Sequence, residues 1–277
     1  MNIKWNKELS SDFTVTNGVK QGGILSPYLF NIYLDELSDM LSKSPAGCRL
    51  GGVTMNHLIY ADDMCLIAPS PHGMQKLLNI CELYAEDQDI IYNSKKTVCM
   101  LMQSRKVKFK EPPALYLNRQ RLDYADSCRY LGYIVSNTGS DDDDVKRQKR
   151  SLYATANRLK RQFVGCSFEV KKQLFTSYCS NLYCAQLWSR FTQASWSSVR
   201  VAYNNACRTV LGLERFCSAS NMFVFNEMCN FEALLRKNIF GFISRILSSQ
   251  NVIMTVLTRM SCGGLTELGK RWYNTLY

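Results

Sequence analysis

The sequence contains almost no histidine and no closely spaced cysteine pair, and these absences limit its chemistry. His57 and His72 are the only histidines, and none of the 12 cysteines belongs to a Cys-x-x-Cys pair. Zinc sites draw mainly on such ligands, so a zinc site has little support. The scattered cysteines are better explained as free thiols in a reducing compartment.

Long apolar runs are absent as well. No uncharged apolar stretch reaches the roughly 18 residues of a membrane span, so we expect no transmembrane segment. The opening residues, MNIKWNKELSSDF, contain no apolar core of a secretory signal, and we expect an intracellular protein of the nucleus or cytoplasm. The 277 residues, 46% of them hydrophobic, are enough for one large domain or two small ones.

Positive charge is concentrated in the second half of the chain. Residues 1–140 carry 15 Lys and Arg against 14 Asp and Glu, whereas residues 141–277 carry 19 against 9, a net charge of +10. Four of those nine acids form the single run Asp141 to Asp144. The surplus predicts a polyanionic partner, because Lys and Arg beside phosphates release counterions. A merely solvated basic surface explains the same charge about as well.

The pattern of hydrophobic residues changes near residue 138. Up to that point, short strands alternate with two helices that we expect Ser26 and Ser70 to cap, each followed by a proline. The polar stretch NTGSDDDD is expected to be a linker. Beyond it, apolar residues recur at helical spacing, which predicts a mostly α-helical second region. The fold class expected is therefore α+β.

The stretch LIYADDMCLI, residues 58–67, predicts a hairpin with Asp62 and Asp63 at its turn. Two carboxylates on a rigid turn are suitable ligands for Mg²⁺, which also takes phosphate oxygens from a substrate. Aspartate is common in turns, however, and the stretch by itself favours an ordinary turn. Further along, PALYLNRQRLD and YLGYIVS are expected to form another strand pair.

Other motifs stand in order around this hairpin. The glycine loop and helix NGVKQGGILSPYLF precede it, and NSKKT and YLG follow it. This order closely resembles the reverse transcriptase domain of non-LTR (LINE-type) retrotransposons. The residues that carry the resemblance are Gly18, Val19, Gln21, Gly22, Leu25, Ser26, Pro27, Leu29, Phe30, Tyr60 to Asp63, Asn93, Lys96, Thr97 and Tyr130 to Gly132. It covers residues 8–135 closely, and LYCAQLW at 182–188 is similar to the family's L-Y-G-x-x-x-W segment, with Cys184 replacing glycine.

The resemblance implies an architecture and an activity. Residues 1–138 would be a partial polymerase palm, an antiparallel sheet with packed helices, without its fingers and first catalytic-Asp strand. Residues 139–277 would be a helical thumb-like and connection region. The activity implied is RNA-directed DNA polymerisation with an RNA template, a DNA primer, deoxynucleoside triphosphates and two Mg²⁺ (or Mn²⁺) ions.

The resemblance also implies roles for individual residues. Asp62 and Asp63 would be catalytic metal ligands, and Lys96 would reach the nucleotide phosphates and protonate the leaving pyrophosphate. Nucleotide and template would lie against Gln21, Gly22, Gly23 and Tyr60. The nucleic-acid backbone would be contacted by Lys146, Arg147, Lys149, Arg150, Arg158, Lys160 and Arg161. The competing structural explanations are that Tyr60 packs within its strand, that Lys96 is only solvated, and that the basic residues form a solvated helix face.

One element of the family pattern has no counterpart here. The family carries another metal-bridging aspartate on an upstream strand, in an F-x-D-x-x-x-A-F-D-type motif. The upstream acids in this sequence are Glu8 and Asp12, and Asp12 already matches the strand that precedes the glycine loop. We therefore expect an incomplete two-ion site and no polymerisation by this chain alone. A non-catalytic nucleic-acid-binding relic of a retroelement and a group II intron maturase-type polymerase remain as alternatives.

Overall fold

The computed structural model describes residues 2–14, 22–102, 111–262 and 266–276. The strands in these ranges are β1 (Lys4–Trp5), β2 (Glu8–Leu9), β3 (Cys48–Leu50), β4 (Val53–Met55), β5 (His57–Tyr60), β6 (Asp63–Leu66), β7 (Val98–Cys99), β8 (Tyr116–Leu117), β9 (Gln120–Arg121), β10 (Asp123–Tyr124), β11 (Ser127–Tyr130) and β12 (Tyr133–Ser136). The helices are α1 (Ser26–Lys43), α2 (Pro71–Asp87), α3 (Asp142–Gln162), α4 (Phe168–Tyr178), α5 (Gln193–Leu211), α6 (Ala219–Phe225), α7 (Phe231–Leu247), α8 (Val252–Cys262) and α9 (Glu267–Leu276). The predicted α+β class is confirmed.

The chain divides into two compact units. The first unit contains Met1–Ser94 and Pro113–Arg121, and the second contains Lys95–Pro112 and Leu122–Tyr277. Short strands occur in both units, and the second unit is largely helical, as the periodicity predicted. The functional division into a palm at residues 1–138 and a thumb-like region at 139–277 stays a prediction.

Two helices and a hairpin form the core of the first unit. Buried residues of α1 and α2 pack together, and Met64 and Leu66 of β6 lie against them. The buried set is Leu37, Leu41, Leu77, Cys81 and Tyr84. Burial also raises the pKa of the Cys81 thiol to about 12, so this cysteine is an un-ionised core residue. The β5–β6 hairpin is thus fixed from one side by a packed helix pair.

The two predicted helix starts differ in the structure. Ser70 caps α2 as predicted, since its side chain accepts a hydrogen bond of 3.1 Å from the Gly73 amide. The predicted Ser26 cap is wrong, because α1 begins at Ser26 and Leu25 occupies the cap position without a side-chain bond. Leu25 already has helical dihedral angles, φ −83° and ψ −15°, whereas a capping residue is normally extended.

Aromatic and aliphatic side chains of several helices form the core of the second unit. Its largest fully buried side chains are Phe175, Trp188, Tyr203 and Phe231. The Tyr203 ring stacks on Phe223 at 5.7 Å between centroids and is tilted against Phe175 at 5.3 Å. Helices α3 and α5 line this core with Leu152, Ala156, Val199 and Ala206, among others. The apolar stripes predicted for α3, α5 and α7 therefore mark buried helix faces, whereas the stripe predicted for α4 is wrong, because Val170 and Tyr178 are exposed and Phe175 is the buried residue.

The acid run Asp141–Asp144 is not a linker, and that prediction is wrong. The run starts α3, and the Asp144 side chain is 0% exposed. Asp144 accepts hydrogen bonds from the Ile134 amide (3.1 Å), the Trp188 indole (2.8 Å) and Arg147 Nε (2.6 Å). Carboxylates are stabilised at a helix N-terminus, and these three donors replace the water that burial removes.

Asp141 and Asp142 hold the same neighbouring segment. Asp141 accepts from the amides of Ser189 (2.6 Å) and Arg190 (2.7 Å) and from the Tyr133 hydroxyl. Burial together with this hydrogen bond raises the pKa of Tyr133. Burial alone would raise the pKa of Asp142, but hydrogen bonds headed by that from the Thr192 amide lower it below its ordinary value. We call residues 181–192 the strap, because the acid run ties it to α3.

Helix α9 fastens the strap as well. The Arg271 guanidinium lies over the Phe191 ring at 4.5 Å and the Trp196 ring at 4.9 Å, and it donates to the Trp188 carbonyl. Burial lowers the pKa of Arg271 to about 10, and the group remains charged at neutral pH. The Trp272 indole donates to the Gln186 carbonyl at 2.8 Å. The strap is thus bonded to both α3 and α9.

The predicted pairing of PALYLNRQRLD with YLGYIVS is wrong, because the strands of each segment pair with their neighbours in the chain. In the first segment β8 pairs with β9; β12 of the second segment pairs with β11, which begins at Ser127 ahead of that segment, and both pairs are antiparallel. Turn residues Asn118 and Gly132 have positive φ, which suits two-residue hairpin turns. The apolar stretch TVCMLM contributes only β7, which lies parallel to β10.

Candidate active-site hairpin and basic helix

The predicted hairpin around the adjacent aspartates is confirmed. Tyr60 of β5 pairs with Asp63 of β6, so Ala61 and Asp62 form a two-residue turn. Ala61 has a φ of 50°, a conformation that alanine adopts only with strain. Tyr60, Asp62 and Asp63 are all exposed, so the side chain of Tyr60 does not belong to the core. The hairpin therefore projects two carboxylates and a phenol from a fixed base.

The donor set at the hairpin suits a hard divalent cation. Among the described residues, no ion pair holds Asp62 or Asp63, and carboxylate oxygens are the ligands that Mg²⁺ prefers. No group of three or more His, Cys, Asp or Glu that could hold a metal exists within the described ranges. The two carboxylates fit the ion in kind, and the remaining ligands would be water and substrate phosphates.

A buried asparagine and a half-buried histidine anchor the base of the hairpin. The side-chain amide of Asn56 donates to the carbonyls of Leu41 (2.6 Å) and Ala46 (2.9 Å). Its Oδ1 therefore accepts from His57 Nδ1 at 2.7 Å, which places the proton of the neutral imidazole on Nδ1. His57 Nε2 then accepts from the Ser38 hydroxyl of α1 at 2.9 Å. Asn56 and His57 were not predicted from the sequence. The available signal was that two adjacent polar residues stand between two strands.

The stability of the first unit is expected to fall as the pH drops from about 7 to 5 because of His57. Burial lowers the pKa of His57 below its ordinary 6.5, so the folded chain favours the neutral ring. This contribution to stability is complete above pH 6.5 and is lost as the pH falls through that value towards the folded pKa.

Urea unfolding at pH 7.5 and pH 5.5 would measure the effect, and His57→Gln should reduce the difference between the two. His72→Gln is the matched control, because the His72 side chain is exposed. An unchanged pH dependence in His57→Gln would contradict the assignment.

The other predicted nucleotide-binding residues are distributed between the two units. Gly22 (φ 78°) is exposed, and a Cβ added there would meet no atom within 4 Å. Gly23 is half-buried and follows it directly. Gln21 lies outside the described residues. Lys96 is exposed and belongs to the second unit. A role for these residues in nucleotide binding stays a prediction.

Helix α3 carries the predicted basic surface. Arg147 is 20% exposed and pairs with Asp144, and Lys149 donates to the Ser198 hydroxyl at 2.8 Å. Lys146 is exposed but pairs with Asp143 at 2.9 Å. The exposed residues that no carboxylate of the described chain pairs with are Arg150, Arg158, Lys160 and Arg161. We call these four residues the basic stripe; it extends over about 16 Å of helix.

Comparison with known proteins identifies the segment that contains the hairpin. Residues 2–135 match the family described as reverse transcriptase (RNA-dependent DNA polymerase). The segment belongs to the reverse transcriptase family. This confirms the resemblance to LINE-type elements, since the relatives are products of R1- and R2-type retrotransposable elements.

Three relatives show how much of the chain is shared. The R2 Pol polyprotein of Nasonia vitripennis is 30% identical over 44% of this chain and 12% of its own length. The R2DM Pol polyprotein of Drosophila melanogaster is 32% identical over 47% of this chain and 13% of its own length. A probable RNA-directed DNA polymerase from the Drosophila X-element is 21% identical over 77% of this chain and 24% of its own length. The similarity to the X-element protein thus extends into the helical region.

The helices of this reverse transcriptase segment and its downstream region do not resemble membrane spans. Within the described ranges, none combines the length and the apolar character needed to cross a bilayer.

Proposed function

We propose that the chain contributes to RNA-directed DNA synthesis, with Asp62 and Asp63 as the metal ligands of its active site. The observation that carries this proposal is the exposed pair of carboxylates at a hairpin turn, inside the segment that belongs to the reverse transcriptase family. The substrates proposed are an RNA template, a DNA primer and deoxynucleoside triphosphates. Two divalent ions, Mg²⁺ or Mn²⁺, are the proposed cofactors.

Different residues of the chain would have different roles in this reaction. When bound, the ions would activate the attacking hydroxyl and neutralise the leaving pyrophosphate. Asp62 and Asp63 would hold them, and the strained turn at Ala61 keeps both carboxylates at the tip. Gly22 and Gly23 would let a nucleotide approach the backbone closely, because no Cβ intervenes. Lys96 would bind the phosphates and supply a proton to the departing pyrophosphate.

Two carboxylates are few for two divalent ions. The four positive charges would meet two negative charges from Asp62 and Asp63, so the protein alone should bind the ions weakly. We therefore propose that these 277 residues by themselves give no detectable synthesis. Primer extension on an RNA template, with Mg²⁺ and all four deoxynucleotides, tests this directly. Mg²⁺-dependent products that disappear in Asp62→Ala would refute the proposed inactivity and support the proposed role of Asp62.

The basic stripe is proposed to bind the phosphate backbone of the template–primer duplex. Its four side chains lie on the exposed face of α3, whereas Arg147 and Lys149 are engaged within the chain. The family resemblance implies backbone contacts from all seven basic residues of α3. The four residues of the basic stripe are the strongest candidates, because no carboxylate of the described residues pairs with them. Their contribution should depend strongly on salt, because each phosphate contact releases counterions.

Replacing Arg150 and Arg158 with glutamine is expected to weaken binding to an RNA–DNA duplex uniformly across sequences. The slope of log affinity against log salt should fall by about 2, since each lost phosphate contact removes about 1. Fluorescence anisotropy at several salt concentrations measures this slope. Lys237→Gln with Arg259→Gln is the matched control, because both residues are exposed cations on other helices. Equal slopes in the two double variants would show that the salt dependence of binding reflects net charge alone and not the position of the basic stripe.

A non-catalytic nucleic-acid-binding protein is the second candidate function. The observation that favours it is that, within the described residues, no third ligand joins Asp62 and Asp63. In that case the affinity for nucleic acid would depend on salt but would be unchanged by Asp62→Ala and Asp63→Ala. Added Mg²⁺ would also have no effect on binding.

A further inference from the structure

The β5–β6 hairpin closes with a turn that its own sequence does not favour. Its two turn residues are Ala61 and Asp62, and Ala61 has a φ of 50°. Aspartate is enriched among residues with positive φ, whereas alanine adopts it only with strain. If the strands were shifted by two residues, Ala61 would pair with Met64, and Asp62 and Asp63 would form the turn. We call this alternative the shifted register; the local turn chemistry favours it.

The apolar pattern of the two strands does not select the observed register either. In the observed register Leu66 pairs with the polar His57. In the shifted register Leu66 would pair with Ile59 instead. Because side chains alternate between the two faces with a period of two, a shift of two residues keeps every side chain of the strands on its face. Contacts outside the hairpin must therefore select the register.

The backbone and side chain of Asn56 supply such contacts at the base of the hairpin. Its buried side-chain amide donates to the carbonyls of Leu41 (2.6 Å) and Ala46 (2.9 Å). Its backbone carbonyl accepts from the Ile67 amide at 2.8 Å, which continues the observed register by one pair. In the shifted register Asn56 would stand opposite Pro69, which has no amide hydrogen to donate. The shift would thus remove a backbone hydrogen bond.

Neighbouring groups prevent β5 from moving along β6. The apolar side chains of β6 lie against α1 and α2, so a change of register requires β5 to slide. His57 of β5 is bonded to Ser38 of α1 at 2.9 Å and to Asn56 at 2.7 Å. Gly47 approaches so closely that a Cβ added to it would lie 2.7 Å from the Asn56 Cβ. Sliding would withdraw the Asn56 amide from two buried carbonyls, which would then lack a donor.

We propose that Asn56 is a positioning residue of the metal site, because its side chain selects the register that places Asp62 at the second position of the turn. This inference rests on the proposed function of Asp62 and Asp63. In the shifted register the two carboxylates would be displaced by at least one strand position, about 3.3 Å. Metal–ligand distances tolerate only about 0.2 Å, so the shifted hairpin would not hold the ion in the same way.

The native Cys65 allows the register to be measured directly. Cys65 pairs with Leu58 in the observed register and would pair with Tyr60 in the shifted one. Leu58→Cys and Tyr60→Cys therefore give two reporter chains, and only a directly opposed pair is close enough for a disulfide. Copper phenanthroline forms the bond in the full chain, and mass spectrometry of the peptides locates it. With Asn56 intact, the Leu58→Cys reporter should form the bond and the Tyr60→Cys reporter should form little.

Replacing Asn56 is expected to reverse this preference. The variants are Asn56→Ala and Asn56→Thr, whose side chain has nearly the volume of asparagine but cannot donate to both carbonyls. The ratio of the two disulfide yields should change at least about tenfold towards the Tyr60→Cys reporter, the effect of one lost buried hydrogen bond. Cys81→Ala is the matched control, because Cys81 is buried in the same core on α2 and takes no part in the Asn56 contacts. Circular dichroism reports whether each variant is folded.

A glycine at the first turn position separates register from general stability. Ala61→Gly removes the strain that opposes the observed turn, since glycine adopts positive φ readily. In the Asn56→Ala background it should restore most of the disulfide in the Leu58→Cys reporter. Fe²⁺ in place of Mg²⁺, with ascorbate and peroxide, should cut the wild-type backbone near residues 60–64. Asn56→Ala should lose this cut, and Ala61→Gly should restore it.

Each outcome decides one question. If Fe²⁺ does not cut the wild-type chain near the turn, the proposed metal site fails and the positioning role fails with it. If Fe²⁺ cuts there and the folded Asn56 variants keep both the cut and the reporter ratio, only the positioning role is overturned. A shifted ratio that Ala61→Gly does not reverse also overturns it. Loss of folding in both Asn56 variants would show that Asn56 acts through stability and not through the register.

Discussion

Replacing Asp144 with alanine is expected to lower the free energy of unfolding of the second unit by about 3–5 kcal/mol, the usual cost of breaking a buried charge pair. The side chain is 0% exposed and pairs with Arg147, which is itself 20% exposed. Alanine would also leave the Trp188 indole and the Ile134 amide without their acceptor inside the core. Unsatisfied buried donors add to the loss.

A neighbouring residue supplies the control for this prediction. Asp143→Ala removes the same charge one position earlier, from an exposed pair with Lys146. Such surface pairs contribute about 1 kcal/mol or less. Urea titration followed by circular dichroism and by tryptophan fluorescence would measure both variants. Comparable midpoints for Asp143→Ala and Asp144→Ala would show that the buried network does not carry this stability.

Replacing Asp62 with alanine is expected to reduce divalent-metal binding at the hairpin at least about tenfold, since even outer-shell partners of a metal are worth 10- to 100-fold in affinity. The proposed site has two carboxylates, so the loss of one leaves a single protein ligand. Substrate phosphates would contribute the other oxygens, and the effect should be largest with template–primer and nucleotide present.

Cleavage of the backbone by bound Fe²⁺ can localise this site. With ascorbate and peroxide, Fe²⁺ in place of Mg²⁺ should cut the wild-type chain near residues 60–64, and Asp62→Ala should abolish that cut. Asp35→Ala is the control, since Asp35 is an exposed acid on α1. Cleavage that persists in Asp62→Ala, or that excess Mn²⁺ does not suppress, would contradict a metal site at this turn.

The elements that the sequence predicted well are those whose determinants are local. The turn between β5 and β6 follows from two apolar segments around Asp62 and Asp63, and the Ser70 cap from a serine before a proline. The order of short motifs along residues 8–135 predicts the same family that residues 2–135 match. The hairpin, the cap and each single motif extend over a few consecutive residues.

The predictions that were wrong concern contacts between distant residues. Asp144 belongs to a polar stretch in the sequence, yet in the fold it lies 0% exposed beside Trp188, 44 positions away. The hydrogen bond from the Tyr183 hydroxyl to the Leu131 carbonyl spans 52 positions, and the Asn56 amide reaches back 15 positions to Leu41. Hydrogen bonds of this kind depend on which groups the tertiary fold brings together, and hydrophobic periodicity does not report them.

The Ser26 cap and the strand pairing were wrong for a related reason. The position of the cap depends on the dihedral angles of Leu25, and the strand pairing depends on those of Gly132. The surrounding fold selects these angles, and the local sequence alone does not determine them. The roles of Gly22, Gly23, Lys96 and Tyr60 still rest on the resemblance to the family.

The attachment of β12 has a consequence for how such domains are inherited. The recognisable family segment ends at residue 135, inside the hairpin, whereas the groups that hold that hairpin are Asp141, Asp144 and Tyr183. Recombination at the edge of the recognisable sequence would separate a hairpin from its anchors. A transferable module must therefore extend at least to the strap, and substitutions in the strap should be compensated by changes in the hairpin. The smallest piece that evolution can exchange intact is therefore longer than the segment that matches the reverse transcriptase family.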